Sequence, residues 1–246
     1  MLLEVDENLE KRQNLWRYMD LAKFVYLANT GTLWLARADT FRDAQEGRFP
    51  SEMRRFIEKA YEKFGDKDNS PVRDADDFQD SLLKNTFISC WHKNFGENMV
   101  MWEIYGRDTN SVAIQTTVAR VEDSLNLDSL NLELQGLKGH SFLMKEVQYV
   151  HEDAIPGVLL YEECFFRKRP HFSHENEVRI SLDTYDRFNP NKKTPFGIVA
   201  NIDLGIFIEN IFVHPDSQDW FLNSIDSLTK KYEIHAPVSR GRYGNN

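Results

Sequence analysis

Two glutamates one residue apart are the most distinctive chemical feature of this sequence. Glu175 and Glu177 stand in front of an apolar run, in the string His171-Phe-Ser-His-Glu-Asn-Glu-Val-Arg-Ile180. In a strand, residues i and i+2 point to the same face, so the two carboxylates are predicted to lie side by side. Their repulsion raises the pKa of one of them unless cations or substrate hydroxyls compensate. Such a pair suits the oxocarbenium-like transition state of glycosyl transfer, although a polar strand face with Glu177 paired to Arg179 or Arg169 is the ordinary alternative.

Two further strings carry candidate binding residues. Arg17 and Tyr18 end the aromatic run Leu15-Trp-Arg-Tyr18, where a guanidinium can hold phosphate and a phenol ring can stack on a base. Ser89 lies in the apolar run Phe87-Ile-Ser-Cys-Trp91, where its hydroxyl needs a partner. The alternatives are a salt-bridged arginine and a serine bonded to backbone.

These side chains must be positioned by many short strands with helices gathered early and late. The patterns predict strands at 15–18, 32–37, 86–91, 111–116, 145–150, 177–182, 196–201, 206–213 and 233–238, and helices at 21–30, 51–64, 98–105 and 216–232. A βαβ rhythm is missing from this order. We therefore expect a single α+β domain over 1–246, with mixed or antiparallel sheets forming a split, cleft-bearing core, and a polar insertion around 65–80.

Composition excludes several classes of protein. The 246 residues are 41% hydrophobic with a formal net charge of −9, so a disordered chain or a general nucleic-acid coat is not expected. Acids near the start and the lack of a long apolar stretch predict a cytoplasmic protein without a membrane partner. Phosphate-loop, dinucleotide-fingerprint, zinc-protease and serine-hydrolase signatures are missing from the sequence.

The sequence contains two other groups of residues with chemical potential. Asp39, Asp43, Glu46 and His92 are potential oxygen and nitrogen ligands of a metal-dependent nuclease, but their spacing matches no known metal site, so no metal is predicted. The basic run 167–169 beside the glutamates either meets an anionic partner or neutralises the pair.

Several strings together resemble a bacterial family catalogued as domain of unknown function 2971. The likeness covers nearly the whole chain and is carried by the strings Leu15-Trp-Arg-Tyr18, Gly31-Thr-Leu-Trp-Leu-Ala-Arg-Ala-Asp-Thr-Phe-Arg-Asp43, Glu46-Gly47, Ile88-Ser-Cys-Trp91, Met101-Trp-Glu-Ile-Tyr105, Lys168-Arg169 and His174-Glu-Asn-Glu-Val-Arg179. Because the function of this family is unknown, the resemblance to it does not imply an activity.

A more distant resemblance adds chemistry. Arg on the first strand, Ser on a middle strand and Glu-x-Glu on a later strand resemble the Arg-Ser-Glu order of ADP-ribosyltransferases. The resemblance implies an ADP-ribosyltransferase-like fold and NAD as substrate. Arg17 would hold the pyrophosphate or a ribose of NAD, Ser89 would position the nicotinamide ribose, and Tyr18 or Trp91 would stack on the nicotinamide. Glu177 would favour the oxocarbenium ion and Glu175 would orient or deprotonate the acceptor.

The acceptor implied is a nucleic acid, a protein or a nucleotide, and such enzymes in bacteria often act as toxins or in phage defence, in some cases with an antitoxin partner. This sequence has Ser-Cys-Trp where the transferase motif usually has Ser-Thr-Ser. The competing prediction is a non-enzymatic binding or regulatory module whose glutamates sit in a salt-bridge network.

Overall fold

The long strand β4 (Thr86–Lys93) lies at the centre of the structure. Its β-branched and aromatic residues favour an extended, buried conformation, and six of its eight residues are buried. The computed structural model describes residues 3–64, 74–126, 142–151, 160–184 and 195–243. Within these ranges the architecture is α+β, as predicted.

The other elements, in chain order, are as follows. The strands are β1 (Leu3–Val5), β2 (Asn14–Asp20), β3 (Thr32–Arg37), β5 (Ser111–Thr117), β6 (Leu125–Asn126), β7 (Phe142–Glu146), β8 (Gln148–Tyr149), β9 (Arg167–Lys168), β10 (Glu177–Asp183), β11 (Gly197–Ile202), β12 (Asn210–Val213) and β13 (Val238–Arg240). The α-helices are α1 (Leu21–Thr30), α2 (Ser51–Phe64), α3 (Ala75–Asn85), α4 (Met99–Met101), α5 (Val118–Ser124), α6 (Leu204–Phe207) and α7 (Asp219–Lys231). A π-helix (Trp102–Gly106) follows α4, and 3-10 helices occupy Ala38–Thr40, Tyr161–Phe166 and Pro170–Glu175.

The main sheet forks at β4. On one edge β4 pairs antiparallel with β10, and the sheet continues to β7 and β1. On the other edge its first half pairs with β3 through Phe87 and Ile88, whereas its last residues, His92 and Lys93, pair with β2. From β3 the sheet continues to β11 and β6, and from β2 it continues to β5, β12 and β13. Ser89 to Trp91 therefore face the point where β2 and β3 diverge.

Apolar side chains pack on both faces of this sheet. The larger core includes Leu15, Phe87, Trp91 and Val178, together with residues of α1 and α7. On the other face, one cluster forms around Phe165 and Phe166, and another forms around Trp16, Tyr18 and Trp102. The side chains between these last two clusters are the polar ones described in the next subsection.

Many predicted elements are confirmed. Strand β3 and helix α2 match their predicted bounds, and Asp20 caps α1 while Gly31 ends it in the left-handed conformation. The predicted strand at 145–150 is wrong in detail, because it breaks at Val147 into β7 and β8, which belong to different sheets.

Other boundaries need correction. The predicted strand at 206–213 begins as α6, because the Asp203 side chain accepts bonds from the amides of Gly205 and Ile206 and starts a helix. The predicted helix at 98–105 is a single α-turn followed by the π-helix. The last strand runs over Val238–Arg240 instead of 233–238. Of the predicted insertion, 65–73 lie outside the described residues, while Asp74 caps α3 and so places the rest in a helix.

In the described parts of the chain, every helix is too short or too polar to cross a lipid bilayer.

Candidate active site

The turn between Glu175 and Glu177 brings their two carboxyl groups together. Glu175 ends the 3-10 helix, whereas Glu177 begins β10, so the prediction that both stand on one strand is wrong for Glu175. Asn176 between them is left-handed, with φ 39° and ψ 60°. Its side-chain amide donates to the carbonyl of Lys93 and its backbone amide donates to the carbonyl of Ser173. This turn places both glutamates against the same lysine.

That lysine is the centre of a buried carboxylate cluster, formed by Glu46, Lys168, Glu175, Glu177 and Arg179. The Lys168 ammonium lies 3.0 Å from Glu46 and 2.8 Å from Glu177, and it also donates to Glu175. Arg179 lies 2.7 Å from Glu177 and 2.6 Å from Glu46. The five side chains are only 1–9% exposed. Three carboxylates face two cations, so one proton on a carboxylate would balance the charge.

The pKa shifts make Glu175 the carboxyl of the pair that takes up a proton more readily. Burial, and then a hydrogen bond with Glu177, raise the pKa of Glu175 to about 7, against the opposing effect of Lys168. Burial also disfavours ionised Glu177, but the charge of Arg179, the bond from Glu175 and the charge of Lys168 outweigh it and hold its pKa well below the usual range. Two neighbouring carboxyls whose pKa values are driven apart can fill different roles in one reaction.

Three further side chains fix the pair. The Tyr105 hydroxyl on the π-helix donates to Oε1 of Glu175 at 3.0 Å. His92 Nδ1 lies 2.6 Å from the Glu175 carbonyl oxygen, and the Glu177 amide donates to the Tyr149 hydroxyl at 2.8 Å. Tyr105 remains 39% exposed, so it links the buried pair to the protein surface.

One side of the carboxylate cluster borders a cavity of about 270 Å³. Glu46 and Lys168 line it, together with Arg48, Arg167 and Arg169 from the neighbouring loop and strand. Arg169 pairs with Asp43 at 2.9 Å, which fixes the loop 43–51 beside β9. The cavity thus meets the carboxylate cluster at Glu46 and Lys168, and its wall is rich in guanidinium groups, a chemistry suited to phosphate.

Strand alternation divides the six residues predicted as site residues between two faces of the sheet. Glu177 is directly opposite His92, so the two share a face, and Tyr18 belongs to that face because its ring lies 6.3 Å from the His92 ring. Ser89 and Trp91 are an odd number of residues from His92 and point to the other face.

Arg17 belongs with Ser89 and Trp91. It donates to the Ser89 hydroxyl at 2.8 Å, and its guanidinium lies 5.5 Å from the centre of the Trp91 ring. The Trp91 indole also donates to Ser89, at 3.2 Å. The structure thus brings Glu175, Glu177 and Tyr18 to one face and keeps Arg17, Ser89 and Trp91 on the other, in the fork between β2 and β3.

The alternative of a salt-bridged pair named Arg179 and the run 167–169, which contains Lys168, as partners of the glutamates, but sequence reasoning did not group Glu46 and Tyr105 with them. Each of these four residues lies in a string that carries the resemblance to the family of unknown function, so four distant strings converge on one cluster. These strings were visible in the sequence, but they are separated along the chain, so local patterns did not indicate that their residues meet.

The residues weighed as metal ligands have other partners. Asp39 pairs with Arg37 at 2.6 Å, Asp43 with Arg169, and Glu46 with the two cations of the carboxylate cluster. Within the described ranges, His, Cys, Asp and Glu side chains form no group of three or more suited to a metal ion.

Comparisons with known proteins give one distant structural match to report. No family profile matches the chain, and no curated protein matches it. Among solved structures, a Thermus sp. 2.9 DarT in complex with ADP-ribosylated ssDNA aligns over 99% of this chain and 98% of its own, with 11% sequence identity and a TM-score of 0.39. A match at this TM-score assigns no role to any residue of this chain.

Proposed function

We propose that this protein is an enzyme of the ADP-ribosyltransferase type, which uses NAD as substrate and transfers ADP-ribose to a macromolecule or nucleotide. The observation that carries the proposal is the buried Glu175–Glu177 pair, in which neighbouring carboxyls have opposite pKa shifts and share Lys168, which lines a cavity rich in arginine. The fork of the main sheet at β4 supports the ADP-ribosyltransferase-like fold that the residue order implies.

Glu177 supplies a permanent negative charge in this scheme. Arg179 and Lys168 keep it ionised, and its position is fixed by the backbone bond to Tyr149. As the bond between ribose C1′ and the nicotinamide nitrogen breaks, nicotinamide leaves with the bonding electron pair and positive charge develops on the ribose. A preorganised carboxylate stabilises that charge without reorganisation at the moment of reaction.

Glu175 supplies the base in its ionised form, which a pKa of about 7 keeps accessible near neutral pH. A carboxyl whose pKa is raised to near neutrality can take the proton of the acceptor as its oxygen or nitrogen bonds to C1′. The ADP-ribosyl group is then attached to the acceptor, and the proton stays on Glu175 until solvent removes it. Tyr105, bonded to Glu175 and partly exposed, sits where an acceptor would approach from the surface.

The guanidinium-rich wall of the cavity supplies the binding of phosphate. Arg48, Arg167 and Arg169 surround a space that contacts Lys168, so a pyrophosphate bound there would place the attached ribose toward the carboxylate cluster. This assignment differs from the role that the resemblance implies for Arg17, which lies on the opposite face.

Calorimetry with NAD, with nicotinamide release followed in parallel, tests the proposal. Wild-type protein is expected to bind NAD and release nicotinamide. The Glu175→Gln variant is expected to bind NAD but to release nicotinamide more slowly. Glu7→Gln changes an exposed glutamate far from the carboxylate cluster in sequence and serves as the matched control. A wild-type protein that neither binds NAD nor releases nicotinamide would contradict the proposal.

One observation favours the second candidate, a non-enzymatic module. Both carboxylate oxygens of Glu177 already accept from cations, which is also what a purely structural charge network would show. Calorimetry with NAD distinguishes the two candidates. A structural network predicts that Glu175→Gln changes the stability of the protein, and that neither wild type nor any variant binds NAD.

A further inference from the structure

His92 is a buried histidine whose two ring nitrogens have different surroundings. The side chain is 3% exposed on β4, directly opposite Glu177 on β10. Nδ1 lies 2.6 Å from the carbonyl oxygen of Glu175. Because a carbonyl oxygen only accepts, Nδ1 must carry the hydrogen of this bond.

The other nitrogen is then a bare acceptor. Burial lowers the pKa of His92 against the opposing effects of the Glu175 carbonyl and the Glu177 charge, so the ring is neutral and Nε2 holds a lone pair. Nε2 is buried and meets no hydrogen-bond donor among the described residues. Leaving a buried acceptor without a donor has a cost in free energy, and such groups in native proteins are uncommon.

The surroundings of Nε2 place it within the candidate active site. Glu177 is opposite on β10, Glu175 is joined to the same ring through Nδ1, and the centre of the Tyr18 ring lies 6.3 Å from the centre of the His92 ring. His174 is the further titratable group whose charge affects His92. Directly opposite residues of an antiparallel pair lie about 5 Å apart at Cβ, so a group bonded to Nε2 would be close to Glu177.

We propose that His92 Nε2 accepts a hydrogen bond from the bound substrate, the donor being a ribose hydroxyl of NAD in the proposed reaction. This inference rests on the proposed function. The Glu175 carbonyl fixes the tautomer and orientation of the ring, and the substrate hydroxyl supplies the donor that the described residues do not. His92 is then a substrate-contacting residue beside the Glu175–Glu177 pair, on the strand that separates β10 from β2.

Two substitutions distinguish the role of Nδ1 from the role of Nε2. In His92→Asn, the side-chain amide nitrogen stands near the position of Nδ1, so the bond to Glu175 can be kept while the acceptor at Nε2 is lost. In His92→Gln, the amide oxygen reaches the position of Nε2, so an acceptor is kept while the bond to Glu175 is lost. Each variant therefore controls for the other.

Calorimetry with NAD on both variants gives the expected order. His92→Asn should weaken NAD binding by about tenfold, the worth of one hydrogen bond, while His92→Gln should stay closer to wild type. The reverse order, with Asn like wild type and Gln impaired, would show that His92 only supports the turn at Glu175, and would overturn the inference. Wild-type protein without NAD binding would overturn the proposed function as well, so the two failures are distinct.

Nitrogen-15 NMR of histidine-labelled wild-type protein gives a readout that does not depend on folded variants. In the free protein, His92 is expected to show a protonated Nδ1 and an Nε2 without a hydrogen bond. Addition of NAD should shift the Nε2 resonance toward that of a hydrogen-bonded acceptor. A protonated Nε2 in the free protein, or an Nε2 signal unchanged at saturating NAD, would contradict the inference.

Discussion

Lys168 contacts three carboxylates in a place almost closed to water. Removing five charged side chains from solvent has a large desolvation cost, which their mutual attraction offsets only when every member has its partners. The carboxylate cluster is therefore sensitive to the loss of any one member.

Lys168→Met should lower the free energy of unfolding by about 3–5 kcal/mol, because it leaves buried carboxylates facing a single cation. Lys145→Met is the matched control. Lys145 pairs with Glu163 at 2.6 Å, but the two side chains are 26% and 28% exposed, so we expect a loss of about 0–1 kcal/mol from that pair. Urea unfolding of both variants measures the difference, and equal losses would contradict the role given to Lys168.

The raised pKa of Glu175 makes stability depend on pH, and in the proposed reaction it makes the rate depend on pH as well. The folded protein holds this proton more tightly than the unfolded chain, since the pKa rises from 4.5 to about 7 on folding. The stability that the group contributes is thus complete below its unfolded pKa and is lost as pH rises through about 7. Nicotinamide release that uses ionised Glu175 should rise over the same range.

Glu175→Gln should remove this dependence, because the amide does not titrate. Urea unfolding near pH 5 and near pH 8 should show a smaller loss of stability for the variant than for wild type. An identical pH dependence in the two proteins would show that Glu175 ionises at its ordinary pKa in the folded state.

At the residue scale, the sequence predicted the glutamate pair and named its nearby cations as alternative partners, but it did not predict the contribution of Glu46 and Tyr105. Glu175 and Glu177 are neighbours in sequence, so their proximity required only local reasoning. Glu46 and Arg179 are 133 residues apart and meet only because the loop after β3 returns to β10. Local pattern carries no information about such a contact.

The turn at Asn176 is the element that determines how the pair is arranged. A left-handed residue costs a non-glycine side chain about 1–2 kcal/mol, which asparagine tolerates better than most. Here the side-chain bond to the Lys93 carbonyl also helps to hold it.

Asn176→Ala should therefore destabilise the protein more than Asn176→Gly. Both variants lose the bond to Lys93, but only alanine keeps a Cβ that strains the left-handed backbone. Urea unfolding of both variants, with the glycine variant as the control, measures how much of the lost free energy of unfolding comes from the left-handed backbone conformation. Alanine and glycine variants of equal stability would mean that φ at this position is not held positive in solution.

Element boundaries failed where a polar side chain starts a helix against the apolar pattern. Asp203 and Asp74 both accept bonds from amides two or three residues ahead, and these caps turn predicted strand or loop into α6 and α3. The capping signal was present in the sequence. The prediction gave more weight to the spacing of apolar residues than to this capping signal.

At the scale of the whole molecule, strand alternation divides the six predicted residues between two faces of the sheet, and the fork at β4 is where three of them meet. The fold class and the alternation of side chains along each strand were predictable from the sequence. Strand order and register were not, and a shift of one residue in register moves a side chain to the other face of the sheet. Arg17, Ser89 and Trp91 lie in the fork, and their bonds connect β2 to β4 beyond the last paired residues.

Arg17→Met should accordingly lower stability while leaving NAD affinity within about threefold, because a half-buried charge-assisted bond to Ser89 is worth about 1.5–3 kcal/mol. Calorimetry and urea unfolding on the same preparation separate the two effects. Loss of NAD binding from a folded Arg17→Met protein would instead support the phosphate-binding role that the resemblance implies.

The most direct measurement is the rate of nicotinamide release at saturating NAD for Glu177→Gln beside wild type. Glutamine keeps the shape of Glu177 but not the charge, so release is expected to fall by at least about a hundredfold while NAD still binds. Release from the variant at the wild-type rate, or no release from either protein, would contradict the claim that the Glu175–Glu177 pair acts on the ribose of NAD.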